Sequence, residues 1–255
     1  MKNSLYFLIL IIFLSCSNNI IPTDTDYNGG NYQVEKLNID AEGLPYGKKK
    51  TKNVILMIGD GMGVGQISSG LYSNNNKLYL EQFPVTGLHK CHSSSSLITD
   101  SAAAATSFAC GVKTYNGAIG VDADSNAVKT ILEEAEENGM ATGMVASSTI
   151  VHATPASFIA HVKQRKMYED IASQFLNTEI DFFVGGGKKY FDRRDDGRNI
   201  LEELAQKNYN VGDYFTKEFA DMQISPKENF AYLTSDADPV PFTQGRDYLL
   251  SLIHI

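Results

Sequence analysis

Three strand-like runs, each ending in a loop, most constrain what this chain can fold into. Asn53-Val54-Ile55-Leu56-Met57-Ile58 stops at Gly59-Asp60-Gly61, a second run spans Ala141 to Ala146, and Phe182-Phe183-Val184 stops at Gly185-Gly186-Gly187. A run that is apolar at every position suits the middle of a parallel sheet covered on both faces. Helical patterns lie between and after these runs. Ala127 to Asn138 carries Val128, Ile131, Leu132 and Ala135 on one face and ends at Gly139. Further helices are predicted over Ala156 to about Arg165, Tyr168 to Leu176 and Ile200 to Asn208. Strand and helix alternate without an internal repeat. The expectation is therefore an α/β fold, a predominantly parallel sheet sandwiched between helices.

Composition sets outer limits. The chain has 255 residues, 43% of them hydrophobic, enough for a large core in one domain. Its net charge of -8 argues against a nucleic-acid-binding surface, which needs a clustered basic face. The basic run of Lys48, Lys49, Lys50 and Lys52 reads as a solvated entry to the first strand. At the N-terminus, Lys2 followed by apolar Leu5 to Leu14 has the form of an export signal, too short for a permanent span. Residues 1–16 are assigned to that signal. Ser15-Cys16 at its end fits a bacterial lipoprotein site, with Cys16 as a lipid anchor, although Leu14 is larger than such sites prefer. A plain secretory signal is the alternative. Both place the protein outside the cytoplasm of a bacterium, periplasmic or anchored to its membrane. Residues 17–45, rich in Asn, Asp, Gly and Thr, read as an extended tether, residues 46–248 as the α/β domain, and 249–255 as an apolar, non-native-looking tail. Export permits a Cys91–Cys110 disulfide; the place of Cys110 on an apolar helix face favours a buried free thiol.

Candidate chemistry gathers at element ends. Thr99-Asp100-Ser101 precedes an alanine run, which predicts a helix from close to Ser101 through Ala109, stopped by Gly111. A serine there is either a helix cap or a nucleophile whose anionic forms are favoured by the unpaired N–H groups and the dipole. Asp60, between glycines after the first strand, is either a turn residue or an oxygen ligand for a divalent cation. His152 and Thr154, two apart in what reads as an extended segment, point the same way, and Thr154 before Pro155 is also a possible N-cap. Arg165, closing the predicted 156–165 helix, is either a surface residue or a fork for a phosphate. Other motifs carry less. Asp122 to Glu133 imitates a calcium loop but has Ala127 where glycine is needed, which leaves Asn126 or Ser125 as a helix cap. Gly185-Gly186-Gly187 lacks the spacing of a P-loop. Asp192-Arg193-Arg194-Asp195-Asp196 reads as a solvated loop with local ion pairs.

Taken together and in order, VILMIGDGMG (54–63), DSAAAAT (100–106) and HATPASFIAHVKQR (152–165) resemble the alkaline phosphatase family. Cys110 to Thr114 and VGGGKKYF (184–191) support the likeness, which covers roughly residues 40 to 248. The resemblance implies an enzyme that hydrolyses small phosphate monoesters, with two Zn²⁺ and one Mg²⁺ in the complete family site. It implies that Ser101 attacks phosphorus, becomes phosphoserine and contacts metal, that Arg165 holds phosphate oxygens, and that Asp100 orients the guanidinium. Asp60 would bridge zinc and magnesium, Thr154 would bind magnesium, and His152 would act near the same metal. A homodimer is compatible with the sequence. The family's later metal-ligand motifs are absent before Ile255, and a zinc site needs three or more protein ligands. The fold is thus expected to be incomplete at the C-terminus, and the polypeptide expressed alone to lack zinc-dependent phosphatase activity. Alternatives are a related metal-dependent phosphodiesterase or sulfatase, and a non-catalytic, lipid-anchored phosphate- or metal-binding protein.

Overall fold

The computed structural model describes residues 52–83, 85–241 and 244. The signal, tether and tail expected at 1–16, 17–45 and 249–255 lie outside the described residues. Contacts divide the chain into two units. The described part of the smaller one (52–56, 76–83 and 85–86) contains a short 3₁₀ turn, Tyr79–Gln82, in which Glu81 accepts from the Leu78 N–H at 2.7 Å.

The larger unit carries the sheet. Four strands, β1 (Gly143–Thr149), β2 (Phe182–Gly186), β3 (Tyr209–Asp213) and β4 (Asn229–Leu233), lie in the order β1-β2-β4-β3, and every pairing is parallel. Seven helices accompany them among the described residues: α1 (Val64–Ser73), α2 (Ser101–Cys110), α3 (Ile131–Glu137), α4 (Ala153–Ala156), α5 (Tyr168–Gln174), α6 (Lys189–Asp192) and α7 (Ile200–Gln206). This is the expected parallel sheet flanked by helices. Alternation along the two central strands shows that both sheet faces are covered. Phe183, Ala231 and Leu233 join the main core with Phe175, Phe191, Ile200 and Leu204 from the helices. Their neighbours Val184, Phe230 and Tyr232 face the other way, against Met222 and Phe219.

The structure departs from the sequence reading in several places. The run Asn53–Ile58 is extended but pairs with none of the described strands, and its side chains from Val54 to Met57 are exposed. An apolar pattern supplies only one partner of a ladder, and a strand forms only where a second lies in register. The strands β3 and β4 were not anticipated. The helix expected from Ala127 begins instead at Ile131, because Thr130 and Glu133 form a capping box and Asp122 spends its carboxylate on the Asp124 and Asn126 N–H groups. Neither Asn126 nor Ser125 caps it. The helix expected over 156–165 is also replaced. Only Ala153–Ala156 is helical, and Val162 exchanges backbone bonds with Ile119 at 2.9 and 3.0 Å. A tertiary pairing overrides local helix preference there. The charged stretch 192–196 is less solvated than expected: the Arg194 side chain is 3% exposed and bonded to Asp196, Glu169 O and Tyr190 O.

Candidate active site

Local sequence fixes the place of Ser101. Asp100 rather than Ser101 is the N-cap of α2: its Oδ1 accepts from the Ala103 N–H at 3.0 Å, and Ser101 is the first helical residue. Gly111, at φ 71°, ends the helix as foreseen. The other carboxylate oxygen, Asp100 Oδ2, accepts from Arg165 Nη1 at 3.1 Å, and the same Nη1 donates to Ser101 Oγ at 2.9 Å. The Asp100 and Arg165 side chains are 26% and 27% exposed, so the pair is partly desolvated yet reachable. No hydrogen bond from Arg165 Nη2 or Nε is found among the described residues. One edge of the guanidinium is committed to the protein; the rest of the fork is available to an anion's oxygens.

Arg165 arrives from the segment that pairs with Ile119, not from a helix end. Its own N–H donates to Gly117 O at 2.8 Å. At the turn between, Gly120 has φ 58°, and a Cβ there would overlap Ala160 O. Asp60 sits in a turn closed by the Met62 N–H on Gly59 O at 3.1 Å, and Thr154 Oγ1 donates to Asp60 Oδ2 at 2.9 Å. His152, the N-cap of α4, approaches Asp238 at 3.7 Å. Thr154 is therefore a first-turn residue rather than a cap, and α4 replaces the extended segment that would have aimed His152 and Thr154 alike. The predicted residues thus form three groups: Ser101 with Arg165 and Asp100, Asp60 with Thr154, and His152 with Asp238.

A buried hydroxyl network ties the elements that bear them. Thr106 Oγ1, on α2, donates to Ala118 O at 3.1 Å, accepts from the Gly120 N–H at 3.0 Å, and lies 3.3 Å from Ser157 Oγ. Ser157 Oγ donates to Ala153 O at 2.8 Å. The nucleophile helix, the loop that pairs with the arginine segment and the Thr154 turn thereby share one buried junction. Sequence reasoning missed Thr106, Ser157, Asn116 and Asp238. Only Asp238 left a signal, an Asp-Pro pair closing a loop after a strand. Its carboxyl is held below the usual range by the Thr149 hydroxyl, 2.6 Å away, with the Thr149 N–H and His152 adding to the effect.

The oxygen donors of Asp60 and Thr154, already in contact, fit part of a hard-cation site. Among the described residues no three His, Cys, Asp or Glu side chains converge, so a zinc tetrahedron is not supplied by them. Cys91 and Cys110 are free thiols; Cys91 is exposed, and Cys110 Sγ donates to Val128 O at 3.3 Å.

A serine–arginine pair at a helix N-terminus has the chemistry to take the oxygens of an anion, on a parallel α/β sheet flanked by helices. The family model described as alkaline phosphatase matches residues 51–233, and the chain belongs to that family. It is 44% identical over 178 residues to alkaline phosphatase 4 of Bacillus subtilis, covering 64% of this chain and 38% of that protein. It is 37% identical over 228 residues to the repressible alkaline phosphatase of Saccharomyces cerevisiae, covering 78% of this chain and 40% of that protein. The alkaline phosphatase of the Antarctic bacterium TAB5 matches with a TM-score of 0.70 at 41% identity, over 75% of this chain and 55% of that one. A variant of the TAB5 enzyme with Mg bound in its M3 site matches with a TM-score of 0.69 at 41% identity, over 73% of this chain and 54% of that one. The chain spans well under half the length of these curated relatives.

Proposed function

We propose that Ser101 is the nucleophile of phosphate monoester hydrolysis and is phosphorylated during the reaction. The observation that carries this reading is the shared Arg165 Nη1, which bonds Ser101 Oγ and Asp100 Oδ2 while leaving the rest of the fork unpaired. A hydrogen bond from a guanidinium favours the serine alkoxide, as does the positive end of α2. The open part of the fork takes two phosphate oxygens and sets phosphorus in line with Oγ; Asp100 keeps the guanidinium from turning. Oγ gives up its proton to solvent and forms a bond to phosphorus as the P–O bond to the ester oxygen breaks, that oxygen leaving with a proton from solvent. Water later cleaves the phosphoserine P–O bond to release phosphate and restore the hydroxyl. Asp60 and Thr154, with His152 near them, would hold the magnesium expected for the family, and Asp60 and Ser101 would be among the ligands of its two zinc ions. Bound divalent cations lower the pKa of the serine hydroxyl and neutralise charge on the phosphoryl group. Export, by a cleaved signal or a lipid anchor at Cys16, and assembly as a homodimer belong to the same proposal. Among the described residues no helix is long and apolar enough to cross a membrane.

The described residues offer less than a full zinc cage, so sustained turnover by this polypeptide is not expected and the phosphoserine should accumulate. Incubation with p-nitrophenyl phosphate, Zn²⁺ and Mg²⁺ should release at most about one nitrophenolate per chain and leave phosphate on Ser101, detected by peptide mass spectrometry. An adduct that survives Ser101→Ala, or none in the unaltered chain, overturns the nucleophile assignment. Rapid multiple turnover abolished by chelator overturns the expectation of accumulation.

A further inference from the structure

We infer that Asn116 is a positioning residue that sets the Arg165 clamp against the nucleophile, an inference resting on the function proposed above. Its side-chain Oδ1 accepts from the Asp100 N–H at 3.2 Å, and its Nδ2 donates to Ile98 O at 3.0 Å. One amide thus holds two backbone groups of the strand-like segment leading into α2. The Asn116 N–H is itself fixed on Ser95 Oγ at 3.1 Å. The next residue, Gly117, presents its carbonyl to the Arg165 N–H at 2.8 Å. Gly117 has φ 96°, a left-handed conformation that side-chain-bearing residues rarely adopt, so the turn that presents this carbonyl favours glycine. Asn116 and Gly117 therefore form a two-residue bracket: the side chain of one grips the backbone at Asp100, and the carbonyl of the other grips the backbone at Arg165. The bracket fixes the separation across which Arg165 Nη1 reaches both Asp100 Oδ2 and Ser101 Oγ.

The chemistry demands an amide. A carboxylate at 116 could still accept from the Asp100 N–H but could not donate to Ile98 O, and it would compete with Asp100 for the arginine. Alanine removes both bonds. Neither change touches the anion itself, but aspartate also adds a like charge, so alanine is the variant whose loss reads the action through Arg165.

Inorganic phosphate is the probe, with Mg²⁺ present throughout, and affinity is read by calorimetry on the 255-residue chain. Asn116→Ala and Asn116→Asp are each expected to weaken phosphate binding by roughly tenfold, equivalent to about 1.4 kcal/mol. The discriminating measurement is a double-mutant cycle. In an Arg165→Lys background, where the planar fork is gone, Asn116→Ala should cost less than about twofold. A full tenfold loss in both backgrounds makes Asn116 merely structural and overturns the inference, as does unchanged affinity in the single variants. Should Asn116→Ala fold poorly, Asn116→Gln, which keeps a neutral amide on a longer stem, carries the same comparison. A chain that binds no phosphate even unaltered overturns the functional reading and the inference with it. Phosphate binding that Arg165→Lys leaves intact overturns the clamp and the inference with it, and leaves the assignment of Ser101 standing.

Discussion

Thr106→Val tests the buried junction beneath the site. The change conserves shape, so it creates no cavity and removes only the hydroxyl. Thr106 is 0% exposed, and its Oγ1 satisfies two buried backbone groups, the Ala118 carbonyl at 3.1 Å and the Gly120 N–H at 3.0 Å. No other partner for either group is found among the described residues. Each buried group left unpaired costs roughly 1–3 kcal/mol, so the pair should cost about 2–6 kcal/mol. That is a large share of the roughly 5–15 kcal/mol that stabilises an ordinary folded domain. Thr106→Ser is the control: it keeps the hydroxyl and loses one buried methyl, about 1 kcal/mol. Urea unfolding followed by circular dichroism measures both, with the slope against denaturant expected to stay constant. Should valine prove no more damaging than serine, the hydroxyl would not be what joins α2 to the 118–120 loop.

Two further outcomes follow from the same coordinates. Gly120→Ala should cost at least about 2 kcal/mol in urea unfolding, since it forces a left-handed non-glycine residue and a clash with Ala160 O; Gly65→Ala, inside α1 with open space around it, should be neutral or stabilise by about 0.5–1 kcal/mol. The second concerns alkaline pH. Burial, with the Glu133 charge adding to it, pushes the Cys110 thiol from 9.0 up to about 11, and burial pushes Tyr209 from 10.0 up to about 12. Between those values the native state keeps protons that the unfolded chain has lost, so stability is full below about pH 9 and falls as pH rises towards 11 and 12. Thermal melts from pH 8 to 11 should show this decline, and Cys110→Ala should move its onset up by about one pH unit, to where Tyr209 begins to titrate. A melting temperature that is flat across that range in the unaltered chain refutes the assignment.

The parts of this fold that could be read from sequence are those in which one local cause suffices. The alanine run specifies α2, and Gly111 its end, because propensity and a left-handed cap agree. Phe182-Phe183-Val184 is unambiguous since β2 is central and buried on both sides. Tyr209–Asp213 was illegible: at the sheet edge its pattern is short, polar and broken by Gly212. Asn229–Leu233 lies inside the sheet, but five residues opening on a polar one give too brief a period to separate strand from helix. The segment 156–165 misled because its composition favours a helix while its pairing with residues 117–119 is a tertiary fact. The candidate site followed the same rule. Ordered motifs singled out Ser101, Asp60, Thr154 and Arg165, and the structure pairs Ser101 with Arg165 and Asp60 with Thr154; Thr106 and Asn116 act through backbone groups remote in sequence and leave no local pattern.

The order Asp-Ser at the head of α2 has a physical reason that the geometry makes plain. The residue before Ser101 does two things at once: it caps the helix with one oxygen and holds the arginine with another. Serine and threonine cap well but carry a single oxygen. Asparagine has a capping oxygen, yet its second terminal atom is an N–H₂ that would face the guanidinium. Glutamate has both oxygens on a longer stem that does not reach back to the third helical N–H. Aspartate alone combines a short stem with two acceptors, Oδ1 on the Ala103 N–H and Oδ2 on Arg165 Nη1. Because the cap fixes the carboxylate relative to the helix, and Ser101 is the helix's first residue, capping also fixes the arginine relative to Ser101. A structural need common to most helices is thus met here in the one way that also orients a guanidinium over the serine hydroxyl.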